Sequence, residues 1–310
     1  MQSIKKSNNV PLAGFIIAFL GAILFSTKAI IVKIAFAKAH TDALSLLTVR
    51  MIFAFPFFLA AAIFASNKKK NNVKLTNRQW LIVIGLGIAG YYLSSLFDFI
   101  GLQYISAGLE RLILFLYPSF VVIINAVLFK QKITRIQLIA LALTYAGIGI
   151  AYVGEFSLDL HNPNFIAGSI LIFICAITYS IYLVGSGVIV PLIGATKFTA
   201  YTMLAATFGV FVHFIVTGNY SNMPTGGNFW GYGLLLAIVA TVIPGFLLSI
   251  GMKKIGANNV AIVSSIGPVS TIIQAHYLLG EPIFAAQLIG TVLVIAGVLL
   301  TGWKLQQIST

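Results

Sequence analysis

The sequence predicts an all-α membrane protein with ten transmembrane helices, arranged as two inverted five-helix repeats. Apolar residues make up 59% of the 310 residues and charged residues only 8%, whereas a soluble domain carries about 25% charged residues. The apolar residues form runs of roughly 20, the length that crosses a bilayer as a helix. The two halves of the chain also align with each other. A cytosolic enzyme, a disordered chain and a disulfide-rich secreted domain are therefore excluded.

Ten apolar runs, separated by polar, glycine or proline breaks, predict the individual helices. In chain order the predicted spans cover residues 12–36, 42–65, 79–101, 106–129, 136–153, 165–188, 198–217, 229–250, 259–279 and 285–303. Each run is continuous rather than alternating, which favours helices over barrel strands. The apolar run after the basic N-terminal segment is long and lacks an A-x-A cleavage site, so we expect it to be a retained first helix.

The distribution of lysine and arginine predicts the orientation of the spans. With the N-terminus inside, the inner segments contain 14 of the 19 basic residues, and the outer loops contain only Lys38. Four acidic residues fall on the outer side and none on the inner side: Asp42, Glu155, Asp159 and Glu281. We therefore expect an inner (plasma) membrane protein with both termini in the cytoplasm. The net charge of +13 then faces anionic lipid, so no nucleic-acid partner is expected.

An internal repeat relates residues 79–153 to residues 229–303 at a shift of 150 residues. The pairs at this shift include Trp80 with Trp230, Pro118 with Pro268, Gln137 with Gln287 and Gly147 with Gly297. The first helices align at a shift of 154, which pairs Ser26 with Ser180. We predict one repeat at 1–155 and a second at 156–310. Because five is an odd number of spans, the second copy enters the membrane inverted, a design found in secondary transporters.

Several motifs of the chain resemble the EamA family of the drug/metabolite transporter superfamily, over essentially the whole length. They are FSTKAIIVK in the first span, LYPSF in the fourth, IGPVS in the ninth and Leu-Gly-Glu-Pro at 279–282. After the fourth span, where family members often have an acid, this chain has Gln131. The resemblance implies a bacterial inner-membrane carrier of amino acids or related metabolites, often an exporter.

Ionisable residues within spans are functional candidates, because their burial in lipid is costly. Most lie in the first four spans: Lys28, Lys33, Arg50, Asp98, Glu110 and Arg111. Lys28 and Arg50 are the expected ligands of a substrate carboxylate, and Lys28 is expected to pair with Glu110 in the empty site. Glu110 is the expected proton-coupling group, with Asp98 and Arg111 as ion-pair partners. The alternatives are structural ion pairs and, for the lysines, snorkelling to the interface; Lys33 is expected to snorkel.

Polar and aromatic residues at central depths complete the predicted binding site. They are Tyr92, Ser95, Tyr117, Tyr179 and Tyr182, and His276, farther toward the outer side of the ninth span, is a further candidate with a proton relay as its role. Pro118, Pro244 and Pro268 are predicted to kink their helices and expose backbone polar groups to a cavity. The alternatives are tyrosines that pack between helices and kinks that are static. No cofactor or metal is expected, since one cysteine and four scattered histidines do not have ligand spacing.

The leading functional prediction is a secondary transporter, an exporter or exchanger, of a small metabolite such as an amino acid or related zwitterion. It would work by alternating access around the charged site. The alternatives are a carrier of nucleosides, nucleotide-derived compounds or cationic drugs, a membrane-embedded enzyme, and a lipid carrier. No Walker-type motif occurs, which argues against ATP-driven pumping. Substrate identity, transport direction, coupling ion and oligomeric state are not determined by the sequence.

Overall fold

A computed structural model of the chain describes residues 12–66, 75–130, 132–158, 162–218, 223–255, 260 and 263–308. These residues form helices joined by turns, and this part of the chain contains no strand. Eight of the helices are long and apolar enough to cross a membrane. The prediction of an all-α membrane fold is therefore confirmed. Several residues used for the predicted orientation lie outside the described ranges: Lys5, Lys6, Lys68, Lys69, Lys70, Lys74 and Asp159. Gln131, which departs from the family pattern, lies outside them as well.

The helices follow one another in chain order. They are α1 (Leu12–Ala39), α2 (Ala43–Ser66), α3 (Asn77–Gly101), α4 (Ala107–Leu128), α5 (Arg135–Leu158), α6 (Phe165–Ile193), α7 (Ala195–Val216), α8 (227–255), α9 (Gly267–Leu279) and α10 (Ala285–Ile308). The first eight match the first eight predicted spans, and each has membrane-spanning length. As described, α9 has 13 residues and the apolar part of α10 is Ala285–Leu300, so the count of ten spans stays a prediction.

The turn between α6 and α7 is shorter than predicted. The sequence indicated a break between residues 188 and 198, but α6 continues to Ile193 and only Gly194 separates it from α7. The apolar residues after 188 extend the helix, and Gly194, with φ +82°, makes the turn in a conformation that suits glycine. Lys197, predicted to lie in a loop, is therefore in the first turn of α7, where it is buried.

Three helices depart from regular α geometry, and so does the chain just before α9. In α3, residues Ile88–Leu93 form a π-helical segment, and α8 contains a second one at Ile238–Val242. A turn at residues 115–116 interrupts α4 just before Pro118, and a turn at residues 265–266 precedes Pro268 in α9. Pro244 is the second residue after the π segment of α8. All three prolines thus lie next to irregular backbone.

Helix packing connects the two halves of the chain. The helix α1 packs against α8 and α9, α6 packs against α3 and α4, and α2 packs against α7. Among the described helices, the most extensive contact is that of α5 with α10, where a Cβ added to Gly147 would lie 2.6 Å from the carbonyl oxygen of Gly290. Glycine at this crossing lets the two backbones touch, as small residues do between membrane helices.

Candidate substrate site

Five ionisable side chains from the first four helices meet inside the protein, and we call them the charge cluster. They are Lys28 of α1, Arg50 of α2, Asp98 of α3, and Glu110 and Arg111 of α4. Asp98 and Glu110 are fully buried, and Arg50 and Arg111 are nearly so. Charges this deep in a membrane protein are costly unless they pair with one another or face a polar cavity.

Lys28 lies between the two carboxylates of the charge cluster. Its Nζ is 2.6 Å from Oδ2 of Asp98 and 3.9 Å from Oε1 of Glu110. Lys28 does contact Glu110, as expected, but its contact with Asp98 is shorter. The ring of Phe25 also lies beside the ammonium, with its centroid 5.7 Å from Nζ. One lysine thus balances two buried acids.

Arg50 binds a hydroxyl rather than a carboxylate. Its Nη2 donates a hydrogen bond of 2.9 Å to Oγ of Ser95, and its guanidinium lies 5.1 Å from the centroid of the Phe99 ring. Asp98 remains within electrostatic range of Arg50. The structure therefore brings the predicted residue Ser95 into the charge cluster, as a partner of Arg50.

Arg111 connects the charge cluster to the second half of the chain. Its Nη2 donates to Oγ of Ser26 at 3.5 Å, and Oγ of Ser26 donates in turn to the carbonyl oxygen of Gly267 in α9 at 3.3 Å. The guanidinium lies directly against Gly267, since a Cβ added there would be 2.7 Å from Nη2. The absence of a side chain at Gly267 therefore makes room for Arg111.

Several atoms of the charge cluster have no hydrogen-bond partner among the described residues. They are Nε of Arg50, Nε of Arg111, both oxygens of Asp98 and both oxygens of Glu110. Asp98 is nevertheless paired with Lys28, whose Nζ lies 2.6 Å from Oδ2. Buried polar atoms without partners are unfavourable, so a ligand that supplies the missing contacts would be stabilised here. The site offers donors for a carboxylate and acceptors for an ammonium group.

A row of tyrosines from α3, α4 and α6 borders the charge cluster. The ring centroids of Tyr117 and Tyr179 are 5.4 Å apart, those of Tyr179 and Tyr182 are 5.9 Å apart, and those of Tyr182 and Tyr91 are 4.9 Å apart. Tyr117 and Tyr179 lie within electrostatic range of Arg111. The three predicted tyrosines of this row are therefore neighbours, and the row ends at Tyr91.

Sequence reasoning missed Tyr91 and Ser94. Tyr91 lies within electrostatic range of Arg50, and Oγ of Ser94 is 3.3 Å from Sγ of Cys175. Helical spacing contains the signal: positions 91, 94, 95 and 98 share one face of a helix, and that face includes Asp98. Cys175, predicted to be a packed hydrophobe, is buried beside this face.

Two predicted residues make hydrogen bonds that lead away from the charge cluster. The hydroxyl of Tyr92 is 2.8 Å from Nδ1 of His213 on α7. Nδ1 of His276 is 2.9 Å from the backbone oxygen of Glu281, in the turn after α9. Neighbouring positions on a helix point about 100° apart, which explains why Tyr91 reaches the cluster and Tyr92 does not.

A second group of charges, the α4 clamp, surrounds the N-terminus of α4. The backbone N–H and the hydroxyl of Ser106 donate to Glu155 at 3.2 and 2.8 Å, and the backbone N–H of Ala107 donates to Glu281 at 2.9 Å. Lys33 lies 3.7 Å from Glu281 and donates to the carbonyl oxygen of Ile105 at 2.6 Å. Carboxylates at a helix N-terminus are stabilised by its unsatisfied N–H groups. Lys33 therefore has protein partners at this end of α1.

Comparison with known proteins identifies the family of the chain. A model described as the EamA-like transporter family matches residues 12–153 and again residues 166–303. The chain belongs to this family. As an EamA-family protein with apolar helices of membrane length, it is a multi-pass membrane transporter.

Relatives of this EamA-family chain are similar along most of their length. The uncharacterized transporter YcbK of Bacillus subtilis is 34% identical over 289 residues, which cover 90% of this chain and 89% of the relative. The uncharacterized transporter YyaM of the same organism is 28% identical over 255 residues, covering 79% of this chain and 82% of the relative. One crystal structure of a protein aligns with a TM-score of 0.64 at 20% identity, covering 96% of this chain and 98% of the other, a likeness of fold.

Proposed function

We propose that this EamA-family chain is a secondary transporter, an exporter or exchanger, of an amino acid or a related small zwitterion, which binds at the charge cluster. The observation that carries the proposal is the set of buried arginine and carboxylate atoms without hydrogen-bond partners. The guanidinium groups suit a substrate carboxylate, which a planar fork can hold with two hydrogen bonds. Asp98 and Glu110 suit an ammonium group. The tyrosine row supplies a wall for the rest of the molecule.

We infer that ten transmembrane helices form two inverted repeats, 1–155 and 156–310. Irregular backbone at equivalent positions supports this inference. The π segments Ile88–Leu93 and Ile238–Val242 begin 150 residues apart. Positive φ angles also recur: His40 (47°) and Gly194 (82°) are equivalent at the shift of 154, and Lys130 (53°) and Gly280 (73°) at the shift of 150. Hydropathy alone does not produce such matches.

Reciprocal contacts between the halves support a two-fold relation. Ser26 donates to the carbonyl oxygen of Gly267, while Ser180 donates to the carbonyl oxygen of Tyr117 at 3.0 Å. Ser26 and Ser180 are equivalent in the repeat, and so are Tyr117 and Gly267. A contact that repeats with its partners exchanged is the mark of a two-fold axis. Two similar halves rocking about such an axis would open the charge cluster to each side in turn, which is alternating access.

The charge cluster occupies the first repeat alone. The equivalent positions in the second repeat hold uncharged residues: Tyr182 for Lys28, Leu204 for Arg50, Leu248 for Asp98 and Val260 for Glu110. Because only one of the two similar halves carries the charges, we expect each molecule to bind a single substrate.

We further propose that both termini lie in the cytoplasm and that the protein resides in the plasma membrane, because basic residues are distributed 14 to 1 in favour of the inner side. Proton coupling through Glu110 is proposed as a secondary feature.

Counterflow in proteoliposomes tests the proposal. Vesicles loaded with single compounds would be screened for uptake of the same labelled compound, using amino acids, nucleosides, organic acids and quaternary cations. We expect exchange of an amino acid or related zwitterion, and its loss in Arg50→Ala and Glu110→Gln. The control is Lys38→Ala, a change at an exposed lysine near the end of α1. Exchange of nucleosides or cations instead would contradict the substrate class, and exchange that survives both substitutions would contradict the site.

A further inference from the structure

A cavity of about 550 Å³ lies apart from the charge cluster, and none of the cluster residues lines it. It is formed by the last part of α2, the turn between α6 and α7, and Phe246 of α8. The lining of this groove includes five small residues, Ala60, Ala61, Ala65, Gly194 and Ala195. It also includes four larger apolar residues, Phe57, Phe64, Ile193 and Phe246.

The apolar part of this groove is open to the surroundings of the helices. The side chains of Phe57 and Phe64 are 44% and 72% exposed although both belong to a membrane-length helix. Phe57, Ala61 and Phe64 recur at helical spacing, so the groove runs along the axis of α2. A groove of this shape on a membrane helix suits an extended acyl chain.

One end of the groove is polar. Thr196 and Lys197 line it there, and α7 begins at Ala195 with its first N–H groups at the same place. Lys197 is 7% exposed, and its Nζ lies 5.7 Å from the centroid of the Tyr201 ring. A buried ammonium beside a helix N-terminus favours an anion. The groove therefore combines an apolar stretch along α2 with a cationic end at the start of α7.

We propose that this groove binds a phospholipid with an anionic headgroup, with the phosphate at Thr196 and Lys197 and one acyl chain along Phe57 and Phe64. The charge complementarity and the amphipathic order of the lining select this occupant over an uncharged lipid. The distribution of basic residues assigns this end of α7 to the cytoplasmic leaflet. The site is independent of the substrate site and would modulate the packing of α2 against α7.

Native mass spectrometry of the purified, delipidated full chain tests this site. The probes are phosphatidylglycerol and phosphatidylcholine with identical acyl chains. We expect the protein to retain phosphatidylglycerol preferentially, and Lys197→Gln to reduce that preference about fivefold, the usual effect of one lysine on anionic lipid binding. The matched control, Lys254→Gln, removes an exposed charge at the end of α8 and should leave the preference unchanged. Ala61→Phe should fill the groove and reduce binding of both lipids.

Three results would overturn the lipid site. Lys197→Gln could keep the full preference for phosphatidylglycerol, or Lys254→Gln could reduce it as much, which would indicate unspecific attraction. Displacement of phosphatidylglycerol by millimolar inorganic phosphate would indicate a free anion site instead. If Ala61→Phe does not fold, as judged by gel filtration, the comparison of the two lysine variants still decides the question.

Discussion

At the scale of single residues, Lys28 controls the electrostatic balance of the candidate site. It is the cation in contact with both Asp98 and Glu110, which are buried. Removing one partner of a buried ion pair leaves an uncompensated charge, which costs about 3–5 kcal/mol. The stability of the protein should therefore depend on Lys28 more than on any exposed lysine.

We predict that Lys28→Met lowers the thermal stability of the purified protein, by about 3 kcal/mol or more in the free energy of unfolding. The double variant Lys28→Met with Asp98→Asn should recover a large part of the loss, because it also removes the charge of the carboxylate that Lys28 contacts most closely. Thermal unfolding in detergent measures both effects. A single variant as stable as the wild type would show that the carboxylates do not need this lysine.

Gly267 offers a test of Arg111 that leaves the arginine itself unchanged. A methyl group at this position would contact the guanidinium, so Gly267→Ala should displace Arg111 and reduce the rate of counterflow about tenfold or more. Gly149→Ala is the matched control, because a Cβ there would meet nothing within 4 Å. Equal transport rates in the two variants would show that Arg111 does not take part in substrate binding.

The sequence identified the residues of the charge cluster but not their pairing. Ionisable residues within apolar runs are conspicuous because their burial is costly, so Lys28, Asp98 and Glu110 could be selected from sequence alone. Their contacts depend on the rotation of each helix. An error of one residue turns a side chain by about 100°, which separates Tyr91 in the cluster from Tyr92 beside α7.

At the scale of helices, the sequence predicted the positions of the first eight membrane-length helices but not their internal irregularities. The thickness of the bilayer sets the number of consecutive apolar residues that a spanning helix needs, and runs of that length are visible in the sequence. A π segment adds one residue to a turn without changing hydropathy, so Ile88–Leu93 and Ile238–Val242 left no signal. Pro118 and Pro268 did indicate irregular backbone, because proline lacks the N–H that a continuous helix needs.

The contact between α5 and α10 depends on glycine at the crossing. A side chain at Gly147 would collide with the backbone of Gly290, so Gly147→Val should separate the two helices and cost about 1–3 kcal/mol in stability. Gly149→Val on the same helix places the same side chain where a Cβ meets nothing, and should be tolerated. Thermal unfolding of the two variants gives the comparison. Equal stabilities would mean that the crossing can widen without loss.

At the scale of the whole molecule, the α4 clamp joins the two halves of the chain. Glu281 belongs to the second half, and it accepts from the N-terminus of α4 and contacts Lys33 of α1. In a molecule that works by alternating access, contacts of this kind would hold one side closed. The sequence placed Glu155 and Glu281 on the same side but gave no reason to expect them at one helix end, because that requires the tertiary packing of α1, α4 and α5.

We predict that Glu281→Gln weakens this closure and increases access to the interior from the outer side. Cys175, the single cysteine, is buried beside the charge cluster and serves as the reporter. A maleimide reagent should label it faster in Glu281→Gln than in the wild type or in Lys38→Ala. Identical labelling rates would show that the α4 clamp is not a gate.

The central claim is that two inverted repeats enclose one charged site. It is tested most directly by finding on which side of the membrane the equivalent positions Thr76 and Gly226 lie. Both are exposed and precede equivalent helices, α3 and α8, at the shift of 150. Single cysteines at these positions, in a Cys175→Ala background, would be treated with a membrane-impermeant maleimide in intact cells. If the repeats are inverted, Gly226→Cys should be labelled from outside and Thr76→Cys only after lysis. Labelling of both from the same side of the membrane would contradict it.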